Sequence, residues 1–170
     1  MKKYNDDKKM IPIGSDKLTE IEGVFEIEKT RSNLMSYLET LGYDLSEKDL
    51  TQNNQGSNKE LNVFVDGKRY IDDYFAMWIS FRLTMSGSDV EVIENGKTVT
   101  KTKGKAVFIL SGYLEEDPYM KRNVNGWDKF WLNLYLKFHH EHMISDAIIT
   151  VAVEVGTIIK FFRKQCNSKI

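Results

Sequence analysis

Cys166 is the only cysteine in the chain, which excludes an intrachain disulfide and a cysteine-rich zinc site and fits a reducing compartment. Neither sign of charge is in excess. The 24 Lys and Arg and 25 Asp and Glu leave a net charge of −1, whereas a nucleic-acid binder needs a basic surplus to neutralise phosphates. Long apolar runs are lacking too: the most apolar stretch, Ala147 to Phe162, is interrupted by Glu154 and Lys160 and falls short of a membrane span. The opening stretch MKKYNDDKKMIPIGSDKL has no apolar core of the signal-peptide kind, so a cytoplasmic location is the expectation. Neither a Gly-x-Ser-x-Gly elbow nor a Gly-x-x-x-x-Gly-Lys phosphate loop occurs, and no cofactor is expected.

What is present is an ordinary globular composition. Hydrophobic residues at 41% and charged residues at 29% exclude disorder for the chain as a whole and suit one packed domain. Residues 1–20 carry Lys, Asp and Asn without periodicity and read as a mobile arm. Residues 21–166 read as a single α+β domain, and 167–170 as a frayed tail.

Within that domain Gly23–Glu28 reads as a short strand. Leu34, Tyr37, Leu38 and Leu41 recur at helical spacing, predicting a helix over Arg31–Leu41, capped by Thr30 or Ser32 and ended by Gly42. Tyr43–Thr51 reads as an edge strand and Gln52–Asn58 as a polar loop. Leu61, Val63 and Val65 alternate before Asp66-Gly67, which reads as a hairpin turn. The clearest segment follows. Ile71, Phe75, Met77, Ile79, Phe81, Leu83 and Met85 occupy one parity of a long strand, while Tyr70, Asp72, Tyr74, Ala76, Trp78, Ser80, Arg82 and Thr84 occupy the other. Ser86-Gly87-Ser88 and Asn95-Gly96 read as turns, Gly104 as a bulge, and Ala106–Leu114 as the last strand.

Glu115–Gly126 reads as a polar connection. Trp127, Phe130, Trp131, Leu134 and Phe138 then predict a helix to Met143, and Ser145 or Asp146 caps a second. On that second helix Ile148, Val151, Val155, Ile158, Ile159 and Phe162 share about a quarter-turn. The expected fold is therefore α+β: a curved antiparallel sheet of about five to six strands, with one N-terminal helix and two C-terminal helices packed on one face.

This order of elements resembles the helix-grip (START-like) architecture, whose curved sheet wraps a long C-terminal helix and often holds an apolar ligand between them. Residues 23–165 also resemble an uncharacterised family of small archaeal proteins. That likeness rests on Leu41-Gly42-Tyr43, Asp72-Asp73-Tyr74, the hairpin Val90–Lys97, Ser111-Gly112-Tyr113-Leu114 and the aromatic helix after Trp127. It implies the fold and the helical C-terminus, with no assigned activity and no functional residue to carry over.

Chemistry-bearing positions are few. His139 and His142 lie three apart and on a helix share a side, so both could reach one metal ion, with Asp146 one turn beyond; the pattern also suits the polar end of a helix. Asp73 lies on the apolar parity of the long strand, where it either orients a ligand or sits at a strand end. Tyr74, Trp78 and Arg82 make the opposite parity too apolar for bare solvent and too wet for a core, as in a half-lined groove or partner surface. Ile149, Val153 and Phe161 lie off the main apolar face of the last helix, with Lys160, Arg163, Lys164 and Lys169 near its end. A homodimer contact, a membrane-surface contact and a second core layer all remain open.

Three functions follow. The first is a non-enzymatic binding or protein-interaction module. The second is a helix-grip carrier of an apolar small molecule or lipid, and the third a metal-dependent enzyme using His139 and His142.

Overall fold

The computed structural model describes residues 10–13, 16–72, 74–94, 96–116 and 127–166, without the side chains of 128–129 and 131–141. Residues 14–15, Asp73, Asn95, the connection 117–126 and both chain ends (1–9 and 167–170) lie outside the described residues. The elements are β1 (Met10–Pro12), β2 (Lys17–Phe25), α1 (Ile27–Thr40), β3 (Asp44–Gln55), β4 (Asn58–Tyr70), β5 (Phe75–Glu94), β6 (Lys97–Glu116) and α2 (Trp127–Cys166). The six strands form one antiparallel open sheet in the order β1-β6-β5-β4-β3, with β2 also pairing on β6. This is the expected α+β class, with two helices instead of three.

The parity of β5 sorts as the sequence requires. Phe75, Met77, Ile79, Phe81, Leu83 and Met85 are buried on the face that carries α2, while Trp78 and Ser80 are half-buried and Arg82 is exposed on the other. Cross-strand partners Val65 and Leu110 flank Phe81, and Val63 and Phe108 flank Leu83, so one apolar layer spans three strands. Val151, Val155, Ile158 and Phe162 of α2 close over that layer, and Leu34 and Leu38 of α1 complete the core. Tyr37 of α1 stacks on Phe161 of α2 with ring centroids 4.0 Å apart.

Several local expectations are corrected. Asp66-Gly67 is not a turn: β4 runs through it, and Gly67 pairs with Ile79 on one side and Leu45 on the other. A Cβ there would stand 2.8 Å from Leu45 Cδ2 and 3.0 Å from Ile79 Cγ1, so the glycine serves close packing. The chain turns instead after Tyr70, where the Asp72 carboxylate accepts the Tyr74 and Phe75 backbone N–H groups at 2.7 and 2.8 Å. Tyr70 thus belongs to β4 and Tyr74 to the turn.

Ser86-Gly87-Ser88 is likewise mid-strand, and Gly104 sits in an unbroken register, not a bulge. Gly87, Gly104 and Gly23 lie side by side on β5, β6 and β2, and between Gly87 and Gly104 the backbones approach too closely for a side chain. A Cβ on Gly104 would meet Ser86 O at 1.9 Å.

The turn between β3 and β4 is tight, with Gly56 at φ +61°, so the predicted polar loop shrinks into a hairpin tip. The expected N-terminal arm is partly sheet. Thr19 and Ile21 are buried from β2, their alternation masked in the sequence by flanking Lys and Glu. Helix α1 starts at Ile27 after Glu26, so Thr30 lies buried inside it and caps nothing. Gly42 ends it with φ +87°, as expected.

The two predicted C-terminal helices are one. Nothing between Trp127 and Val155 breaks a helix, because neither proline nor glycine occurs there. Ser145 and Asp146 are exposed interior positions, where their cost is a few tenths of a kcal/mol, about what one side-chain contact returns. Among the described residues, no helix is long and apolar enough to cross a membrane.

Candidate functional site

The sheet face away from α2 carries the polar chemistry. Lys68, Trp78 and Tyr113 stand directly opposite one another on β4, β5 and β6, and Tyr70, Ala76 and Glu115 form the next row. Glu115 is 0% exposed and shares one carboxylate oxygen between Lys68 Nζ at 2.7 Å and Trp78 Nε1 at 2.5 Å. The Lys68 ammonium also lies 4.7 Å from the Tyr70 ring centroid and 5.0 Å from that of Trp78. Burial works against the charge of Lys68, and the Glu115 carboxylate outweighs it, so its pKa rises above the ordinary lysine value. A lysine held charged in this way is no nucleophile. Beside the cluster is a recess of about 250 Å³ lined by Met10, Asp66, Trp78, Ser80 and Tyr113, with Ser80 Oγ donating to Asp66 at 2.8 Å.

The residues singled out from the sequence do not form one site. Trp78 belongs to the Lys68–Glu115 cluster, Arg82 lies over the Phe64 ring at 5.7 Å, and Tyr74 packs from the turn against the core. Asp73 lies outside the described residues, as do the side chains of His139 and His140; His142 is exposed. Among the described residues no three His, Cys, Asp or Glu side chains gather in a metal-binding group. Phe161 is engaged within the chain by Tyr37, leaving Ile149 and Val153 exposed at 58% and 64%.

Two buried polar clusters escaped the sequence. Glu115 and Glu116, expected at the start of the polar connection, are instead the buried end of β6. Tyr43 lies against Arg69 and Glu154, which pair with each other and tie β4 to α2. A signal existed for the first: Glu115 falls on the same strand parity as Tyr113 and Ser111. None existed for the second, whose members come from three separate elements.

Burial pushes the Cys166 thiol up to about 12 and the Tyr43 hydroxyl above the ordinary tyrosine range, with the Glu154 carboxylate adding to the latter. Both groups, with Lys68, keep their protons in the fold beyond the pH at which the unfolded chain releases them. Their contribution is complete below about pH 8.5 and is lost as pH rises, at about 1.4 kcal/mol per pH unit for each proton. The urea midpoint should therefore be flat from about pH 6 to 8 and fall steeply above about pH 9. Tyr43→Phe should flatten that fall. A midpoint unchanged to about pH 11 would contradict the burial of Tyr43 and Cys166 and the Lys68–Glu115 pair.

A second recess, of about 460 Å³, lies between the start of α1 and the sheet, lined by polar groups including Gln52, Asn54, Lys59, Thr100 and Thr102. Its cations have internal partners: Lys59 pairs with Asp89 at 2.9 Å, Lys101 with Glu94, and Lys29 with Glu26 at 3.2 Å. The hydroxyl–carboxylate pair of the smaller recess, Ser80 and Asp66, has no histidine or cysteine among the residues lining that recess.

No family model matches the chain, and no curated protein does. Among solved structures the chain is similar to an uncharacterised protein from Rhizobium leguminosarum at 6% identity, covering 92% of this chain and 98% of that one, with a TM-score of 0.21. It is also similar to SA2116, a protein of unknown function from Staphylococcus aureus, at 10% identity, covering 95% and 100%, with a TM-score of 0.20. Superpositions this loose carry no argument about fold or function.

Proposed function

We propose that the chain is a non-enzymatic protein-interaction module whose contact surface is the outward face of α2. One observation carries this: Ile149 and Val153, one turn apart on that face, are exposed at 58% and 64%, among nine exposed large hydrophobics of the described residues. Exposed apolar side chains scattered singly need no explanation, whereas several on one element mark a surface that is covered in use. The lack of a catalytic constellation among the described residues supports the same reading. The long α2 lying across an antiparallel sheet supports the helix-grip architecture. A carrier of that kind would hold its ligand under α2, where the Phe81, Phe108 and Phe162 rings lie 5.5 and 4.6 Å apart in series.

The test is the double variant Ile149→Lys/Val153→Lys. Both positions are exposed, so its thermal midpoint should stay within about 3 °C of wild type. Association seen by sedimentation for wild type should be absent, because each side chain is worth about 1.5–3 kcal/mol when fully covered. Unfolding of the variant would mean these side chains face the core. Wild type that stays monomeric but floats with phosphatidylcholine–phosphatidylserine vesicles would replace the protein partner with a membrane surface.

A further inference from the structure

The outward face of α2 carries more than exposed apolar side chains. His142, Asp146, Ile149, Val153, Gly156 and Lys160 follow one another at steps of four, three, four, three and four, the spacing of a helix-pairing seam. At 100° per residue they fall within about 80° of arc, directly opposite Ala147, Val151, Val155, Ile158 and Phe162, which face the core. His142, Asp146, Ile149, Val153 and Lys160 are all exposed. A Cβ placed on Gly156 would meet nothing within 4 Å, so a second helix can approach closely there. Neither Asp146 nor Lys160 makes an ion pair among the described residues.

We infer that this seam pairs with the same seam of a second copy of the chain, the two α2 helices running antiparallel about a two-fold axis near residue 151. The inference rests on the interaction reading above and names its partner. In that register Ile149 of each copy packs on Val153 of the other, giving two mixed aliphatic layers at the centre. Asp146 of one copy then stands opposite Gly156 of the other and about 6 Å along the axis from its Lys160, within reach of the lysine side chain, twice over by symmetry. A parallel pairing would stack each residue on itself, putting Asp146 on Asp146 and Lys160 on Lys160. The signs along the seam therefore select the antiparallel arrangement. Because the core-facing side of α2 is occupied, the two sheets lie outermost and the helices form the centre of the dimer. The shared strip from His142 to Lys160 is about 28 Å long. That is narrow beside the roughly 800 Å² that each partner gives a standard interface, so the dimer is a reversible one.

Sedimentation velocity of the full chain across a concentration series tests this, using wild type, Asp146→Lys, Lys160→Asp and the double exchange. Both positions are exposed, so circular dichroism should report four folded proteins. Each single variant should dimerise at least about tenfold more weakly, because like charges then meet twice, and the double exchange should return to within about threefold of wild type. Dimers that ignore the single exchanges, or a double exchange that fails to recover, would overturn the antiparallel seam. If Ile149→Lys/Val153→Lys still abolished association in that case, the interaction surface would survive without this pairing. Wild type that is monomeric at about 100 µM overturns the dimer, and with it the α2 contact surface unless another protein partner is shown to bind there.

Discussion

Phe81→Ala is expected to destabilise the protein by about 3–5 kcal/mol, read as a fall in the urea midpoint without change of slope. The ring is 1% exposed and lies 5.5 Å from Phe108, which lies 4.6 Å from Phe162, so the three join β5, β6 and α2 in one stack. Truncation removes the first ring and leaves a cavity that two strands in fixed register cannot collapse to fill. Arg82→Ala, one residue along and on the opposite face, should stay within about 0.5 kcal/mol. A Phe81→Ala loss below about 1 kcal/mol would mean that α2 does not cover this face.

Lys68→Met is expected to cost a similar amount for a different reason. Glu115 has no exposure, and its carboxylate oxygen bonds the Lys68 ammonium at 2.7 Å. Methionine keeps the bulk between the Tyr70 and Trp78 rings but removes the Lys68 ammonium from the buried carboxylate, a change worth about 3–5 kcal/mol. Glu115 would then hold its proton to higher pH in the fold than in the unfolded chain. The stability of the variant is accordingly retained below the unfolded glutamate pKa of about 4.3 and lost as pH rises above it. Its deficit relative to wild type should be small near pH 4 and largest near pH 8, by chemical denaturation at each pH. Adding Glu115→Gln should recover most of the loss at pH 8. A deficit independent of pH, or no recovery, would show that Lys68 acts through packing and not charge.

The long strand was legible because six apolar residues hold one parity without a break from Phe75 to Met85, and no loop keeps such a period. Where the sequence misled, it was through glycine. Gly67 and Gly87 look like turn residues because the apolar parity stops just before each, at Val65 and Met85, with charged Arg69 and Asp89 next on that parity. No local pattern therefore marked either glycine as mid-strand. Turn propensity is a property of a few adjacent residues, while the crowding that demands glycine comes from strands far away in sequence. Ser145 and Asp146 misled in the same way, since a good capping pair is also tolerated inside a helix when nothing else stops it. The surplus on α2 was visible as Ile149 and Val153 falling off the main apolar face. Which of its off-face residues were left open was not, because Phe161 is covered by Tyr37 of another helix.

By itself the sequence determined the α+β class, the two faces of β5, the end of α1 at Gly42 and the buried side of α2. Each of these is written in the period of side chains along one segment, 2.0 for a strand and about 3.6 for a helix. Only the tertiary structure decided that β6 lies between β5 and both N-terminal strands and that α2 is continuous. It also decided that Gly23, Gly87 and Gly104 align, and that Glu115 is buried against Lys68 and Trp78. These depend on which segments meet, and meeting is set by burial summed over the whole chain, which no local pattern contains.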